Sequence, residues 1–135
     1  MKISFIKYEK DYQIPKLLGM NIEEIKEPEE IDNKIEELKK QNIEVRVVDI
    51  HTIKPIDKEM IVKCAKETEK LISIEDHSVI GGLGSAISEV LTEEYPVRLD
   101  RMGIKDTFGK SGKAEELMKY FKITAEDIVE KMIEI

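Results

Sequence analysis

Short β-branched runs alternate with amphipathic helical stretches along this chain, and that alternation limits its folds more than any other feature. Residues 43–50 (IEVRVVDI) and 71–74 (LISI) read as buried strands. Between them, residues 58–70 place Ile61, Cys64 and Ala65 on one helical face, with Asp57 in position to cap the helix start. Pro55 fixes the backbone of the turn HTIKPID ahead of it. Residues 2–6 (KISFI) alternate as a strand does, and residues 96–99 predict another strand. Further helices are predicted at about 83–92, at 113–121 and at 125–135, the last with Thr124 as N-cap. Nearer the N-terminus, 11–19 reads as a short helix and 21–25 as a short strand. A Glu-rich helix at 29–41 carries Ile31, Ile35 and Leu38 on one face. Strands separated by helices imply a mostly parallel sheet covered on both faces. The 135 residues suit one domain, 1–135, with a single core.

Charge and composition narrow the function classes. The formal net charge is −7, and an acidic surface repels nucleic acid and anionic lipid. No run of eighteen apolar residues is present to cross a bilayer. MKISFIKYEK has no apolar stretch of signal-peptide length, so the expected location is the cytoplasm. Cys64 is the lone cysteine, and its helical neighbours Met60, Ile61 and Ala65 predict a core residue. No HxH, HExxH or cysteine pair predicts a metal site, and no order of Ser, His and Asp predicts a nucleophile.

Three stretches carry the candidate contact residues. In EDHSVIGGLGS, Gly81, Gly82, Gly84 and Ser85 lie where a strand passes into a helix. Free N–H groups at such a start can hold an anion, and glycine lets backbone approach closely. The spacing GGxGS is neither the dinucleotide GxGxxG nor a P-loop. A tight strand-to-helix junction, an anion cradle and a partner contact all fit it. His77 follows Glu75 and Asp76 at a strand end, and His51 follows the 43–50 strand. Strand ends are where α/β sheets place ligand contacts, although a loop histidine also bonds to local backbone. RLDRMGIKDTFGKSG and the Lys113 that follows it gather Arg98, Arg101, Lys105, Lys110 and Lys113 in an otherwise acidic chain. Arg101 and Lys105 are candidates to grip an anion or an acidic partner. The plainer alternative is a solvated loop whose Ile104 and Phe108 plug the end of the sheet.

IEELKKQNIEVRVVDIHTIKPID, LISIEDHSVIGGLGSAISEVL and VRLDRMGIKDTFGKSGKAEELMKYFKITAEDIVEKM follow one another in that order. Together they resemble the C-terminal domain of the transketolase family over about residues 35–135, in the form used by split transketolases. The resemblance implies a three-layer αβα sandwich with a mostly parallel five-stranded sheet, one strand of it antiparallel. It also implies a domain that packs against diphosphate-binding and pyrimidine-binding domains and joins a homo-oligomer. Those partner domains, and not this chain, are expected to hold thiamine diphosphate and Mg²⁺. The residues given contain no GDG followed by a spacer and an asparagine pair, so no catalytic residue is assigned to the chain alone. The expected role is assembly, with a regulatory ligand as a further expectation.

Residues 1–34 depart from this pattern, because the family domain normally opens on a strand with a TGS-like turn. Their strand–helix–strand pattern faintly resembles the start of the small F subunit of archaeal-type rotary ATPases. That departure admits a chimeric or engineered α/β scaffold without ligand, and the glycine turn with the basic loop leaves a second alternative, a stand-alone domain that binds small anions.

Overall fold

Leu71, Ile72 and Ser73 are all fully buried, the mark of a strand covered on both faces. They belong to β3 (Lys70–Ser78), which pairs in parallel with β1 (Lys2–Lys7) on one side and β4 (Arg98–Ile104) on the other. β2 (Glu44–Asp49) adds to the far side of β1, giving the order β2-β1-β3-β4. The computed structural model describes residues 36–134 and, for 2–7, the strand backbone. Most of the predicted lead-in therefore lies outside the described residues: the 11–19 helix, the 21–25 strand and the start of the 29–41 helix, with Ile31 and Ile35. Residues 36–40 of that helix are helical as expected. Four strands are described, all parallel; the expected fifth, antiparallel strand is not among the described residues.

Period-2 alternation sorts the side chains into two cores. On one face Leu71, Ile50, Val48 and Leu99 meet α1 (Lys58–Thr68) and α2 (Leu83–Glu94) through Ile61, Cys64, Ala65, Leu83, Ile87, Val90 and Leu91. On the other, Ile72, Ile74, Val45 and Met102 meet Leu38, Ile43 and α4 (Ala125–Glu134) through Ile128, Val129 and Met132. Helices on both faces of a parallel sheet make the three-layer αβα class. Each fully buried Leu or Ile contributes roughly 1.5–3 kcal/mol. α3 (Ala114–Phe121) buries no residue and precedes α4 near the C-terminus.

The helix starts follow the local chemistry of the sequence. Asp57 accepts the Met60 N–H at 2.9 Å. Thr124 and Asp127 bond reciprocally: Asp127 donates its N–H to the Thr124 hydroxyl, and Thr124 donates its own N–H to the Asp127 carboxylate at 3.0 Å. α1 stops at Thr68, two residues short of the prediction. Glu69 turns left-handed there (φ 58°), and the Thr68 hydroxyl donates to the Cys64 carbonyl at 2.8 Å.

β3 and β4 both outrun the apolar signal that predicted them. Residues 101–104, expected as loop, extend β4. Gly103 lies so close to β3 that a Cβ there would come within 2.8 Å of the Glu75 carbonyl and 2.9 Å of the His77 carbonyl. The ladder continues past an irregularity between Ile74 and Ser78, and the Val79 N–H donates to the Ile104 carbonyl at 2.9 Å. His77 thus lies inside β3 rather than in a loop. Phe108 does not plug the sheet end, being 95% exposed; the buried Val79 packs beside Gly103 instead.

Candidate functional site

Glu75 occupies the place where the sequence suggested an anion cradle. On β3 it points to the same face as Leu71 and Ser73, toward α2. Its carboxylate accepts the Leu83 N–H at 2.8 Å and the Gly84 N–H at 3.0 Å, and the residue is 3% exposed. These are the first donors of α2, whose N-cap, Gly82, has no side chain to accept them. A strand residue therefore caps the helix from eight positions upstream, and its negative charge meets the positive end of the helix dipole.

The glycines make room for this carboxylate. A Cβ on Gly82 would overlap Glu75 Oε2 and lie 2.7 Å from the Ser78 carbonyl. On Gly84 it would lie 2.7 Å from Arg101 Cδ and 2.8 Å from Ser73 Oγ. Ser85 closes the turn: its hydroxyl donates to the Val79 carbonyl at 3.1 Å and accepts the Gly81 N–H at 2.9 Å. Arg101 crosses over from β4 and donates from Nη1 to the same carbonyl at 3.2 Å and to the Ser85 hydroxyl at 3.4 Å. The Ile80 N–H donates to the Ser78 hydroxyl at 3.2 Å.

The fold thus brings Gly81, Gly82, Gly84, Ser85 and Arg101 into one junction and leaves the other candidates apart. His77 is exposed, with Nδ1 3.3 Å from the carbonyl of Ser78. His51 is exposed, with Nδ1 2.7 Å from the Thr52 hydroxyl, and β1 lies between β2, which precedes His51, and β3, which holds His77. Lys105 is exposed just beyond β4. The basic run is also split. Arg98, at the opposite end of β4 from Lys105, pairs with Asp100 at 2.9 Å, and the Lys110 ammonium stands 5.6 Å over the Tyr120 ring.

The sequence reading missed Glu75 and Ser73. Both are in phase with Leu71, and a glycine-started helix without a capping side chain was the available signal. Ser73 Oγ is buried with no hydrogen-bond partner among the described residues.

A thiamine diphosphate would need free donors for its phosphates and a carboxylate or amide set for Mg²⁺. The start of α2 does not fit it, since its donors already face a carboxylate. Among the described residues no group of three His, Cys, Asp or Glu side chains could hold a metal ion. Nor is any helix among them long and apolar enough to cross a membrane.

The fold and this self-satisfied junction define a parallel, three-layer αβα domain with its glycine turn closed from within. Comparison with known proteins gives that class a family. Residues 29–128 match the model of the transketolase C-terminal domain. A transketolase C-terminal section of Methanocaldococcus jannaschii is 44% identical over 98 residues, which are 72% of this chain and 30% of that protein. The 6-deoxy-6-sulfo-D-fructose transketolase subunit SqwH of a Clostridium species is 43% identical over 100 residues, 74% of this chain and 31% of that protein. A solved split-gene transketolase, described as an inactive beta4 tetramer, superposes with a TM-score of 0.76 at 32% identity. That match covers 98% of this chain and 38% of the solved one. The chain belongs to the transketolase C-terminal domain family. It spans about a third of the length of these relatives.

Proposed function

We propose that this chain is the non-catalytic C-terminal domain of a split-type, thiamine-diphosphate-dependent transketolase in the cytoplasm. It serves assembly: it packs against the diphosphate-binding and pyrimidine-binding domains or subunits and contributes to a homo-oligomer. Thiamine diphosphate and Mg²⁺ belong on those partner domains. The supporting observation is the pairing of a 44% identity to a transketolase C-terminal section with only 30% coverage of it. The sequence similarity extends over the one domain and leaves most of that relative unmatched. The geometry agrees, because a turn whose leading donors are taken by Glu75, Ser78 and Ser85 is built to hold a helix against a sheet. For the same reason the small-anion alternative loses its donors at this turn. A regulatory ligand, if the domain takes one, is expected beside the exposed Arg101 and Lys105 and not at the α2 start.

The test is a thermal-shift titration of the chain with phosphate, pyrophosphate and thiamine diphosphate plus Mg²⁺, beside a pull-down with transketolase diphosphate- and pyrimidine-binding domains. The proposal expects capture by the domains and no saturable shift with thiamine diphosphate. A saturable shift with thiamine diphosphate, abolished by Gly82→Val, contradicts it.

A further inference from the structure

Two exposed surfaces outside the glycine junction complement one another. The first is the loop between β4 and α3, residues 105–113, every one of them exposed. At its centre Phe108 is 95% exposed, the most exposed of the large apolar side chains among the described residues. Lys105, Lys110 and Lys113 flank it against the single Asp106, a positive stretch in a chain of net charge −7. A phenylalanine held in water among cations meets no apolar cover among the described residues, and aromatic rings are the side chains that anchor interfaces best.

The second surface is one flank of α4, where Val129 sits at the border of the core and Ile133 faces out. Val129 and Ile133 line an open groove of about 350 Å³, bounded by Glu126, Glu130 and Glu134. Ile133 is 52% exposed. The groove is shallow and open, with an apolar floor against which one face of an aromatic ring can lie. Its charge is opposite to that of the loop, and its centre is apolar as the ring is.

We propose that these surfaces bind each other between two copies of this chain, with Phe108 of one copy seated on Val129 and Ile133 of the next. The lysines around the ring then face the glutamates around the groove. The contact joins two different surfaces, so it closes reciprocally into a two-fold dimer or runs head to tail into rings or open chains. One aromatic anchor makes a small interface, and the association is accordingly weak and transient. The contact is independent of the transferase reading, because it needs only this chain.

Sedimentation of the purified chain between about 10 μM and 1 mM tests it, a range that brackets weak association. The weight-average mass is expected to rise with concentration. That rise shrinks as salt increases from about 0.05 to 0.5 M, since surface charges are screened. Phe108→Ser and Ile133→Ser each weaken association at least about tenfold, which is about 1.4 kcal/mol. Circular dichroism stays unchanged in both, as both side chains are exposed. Mixed in equal amounts, the two variants form dimers and nothing larger, because one intact loop then meets one intact groove. A chain that stays monomeric throughout overturns the proposal. So does association that survives Phe108→Ser, or a mixture that fails to recover dimers; the last outcome assigns Phe108 to a different surface.

Discussion

Two backbone N–H groups at a helix start, both out of reach of water, need an acceptor, and in this chain a buried side chain from a strand supplies it. Replacing Glu75 with alanine strands the donors of Leu83 and Gly84, which is expected to cost roughly 2–3 kcal/mol in urea denaturation. Gly82→Ala is expected to cost a similar amount, because the new Cβ would overlap the carboxylate and also press on the Ser78 carbonyl. Combined with Glu75→Ala, Gly82→Ala should cost less than it does alone, because one of its two clashes is gone. Gly84→Ala is the milder change. Its clash is with the long Arg101 side chain and a serine hydroxyl, and alanine recovers about 1 kcal/mol of helix propensity. Ser73→Ala runs against the usual trend for buried polar residues. The hydroxyl has no partner among the described residues, so its removal should leave the urea midpoint unchanged or raise it by up to about 1 kcal/mol equivalent. A large loss of stability would mean that Ser73 Oγ has a hydrogen bond in solution.

Capping chemistry fixes the element boundaries more firmly than hydrophobicity does. Thr124→Ala removes the hydroxyl's bonds with Asp127 at the start of α4, leaving the backbone N–H bond in place, and should lower stability by about 1 kcal/mol in a melting curve, with Asp57→Ala costing a similar amount at α1. Both caps were legible in the sequence, because Asp57 and Thr124 immediately precede apolar helical periodicity. The strand lengths were not. The apolar run of β3 ends at Ile74, but backbone hydrogen bonding ignores side-chain polarity and carries the ladder to Ser78. The same limit hid the junction. The glycines announced a close approach, but the approaching group is Glu75, eight residues before the Leu83 donor it meets. The convergence expected of the basic run failed for a related reason. Arg98 and Lys105 bracket a seven-residue strand, and an extended strand holds its ends roughly 20 Å apart.

On the scale of the whole molecule, alternating runs of sequence foretold a layered α/β domain, and the motif order foretold the family. Both follow from local patterns repeated along the chain. Sheet order did not follow, since placing β1 between β2 and β3 depends on contacts between distant residues. The proposed role is a supporting one: a domain whose glycine turn is closed by its own carboxylate would assist a carbon-transfer enzyme without running the reaction itself. The most direct measurement is calorimetric titration of this chain into a split transketolase assembly whose own C-terminal domain has been deleted. The account predicts saturable binding at one chain per vacant position, with ketose turnover in the mixture and none from the chain alone. No binding heat at about 100 μM, a concentration well above a micromolar Kd, would contradict it, as would ketose turnover by the chain unaided.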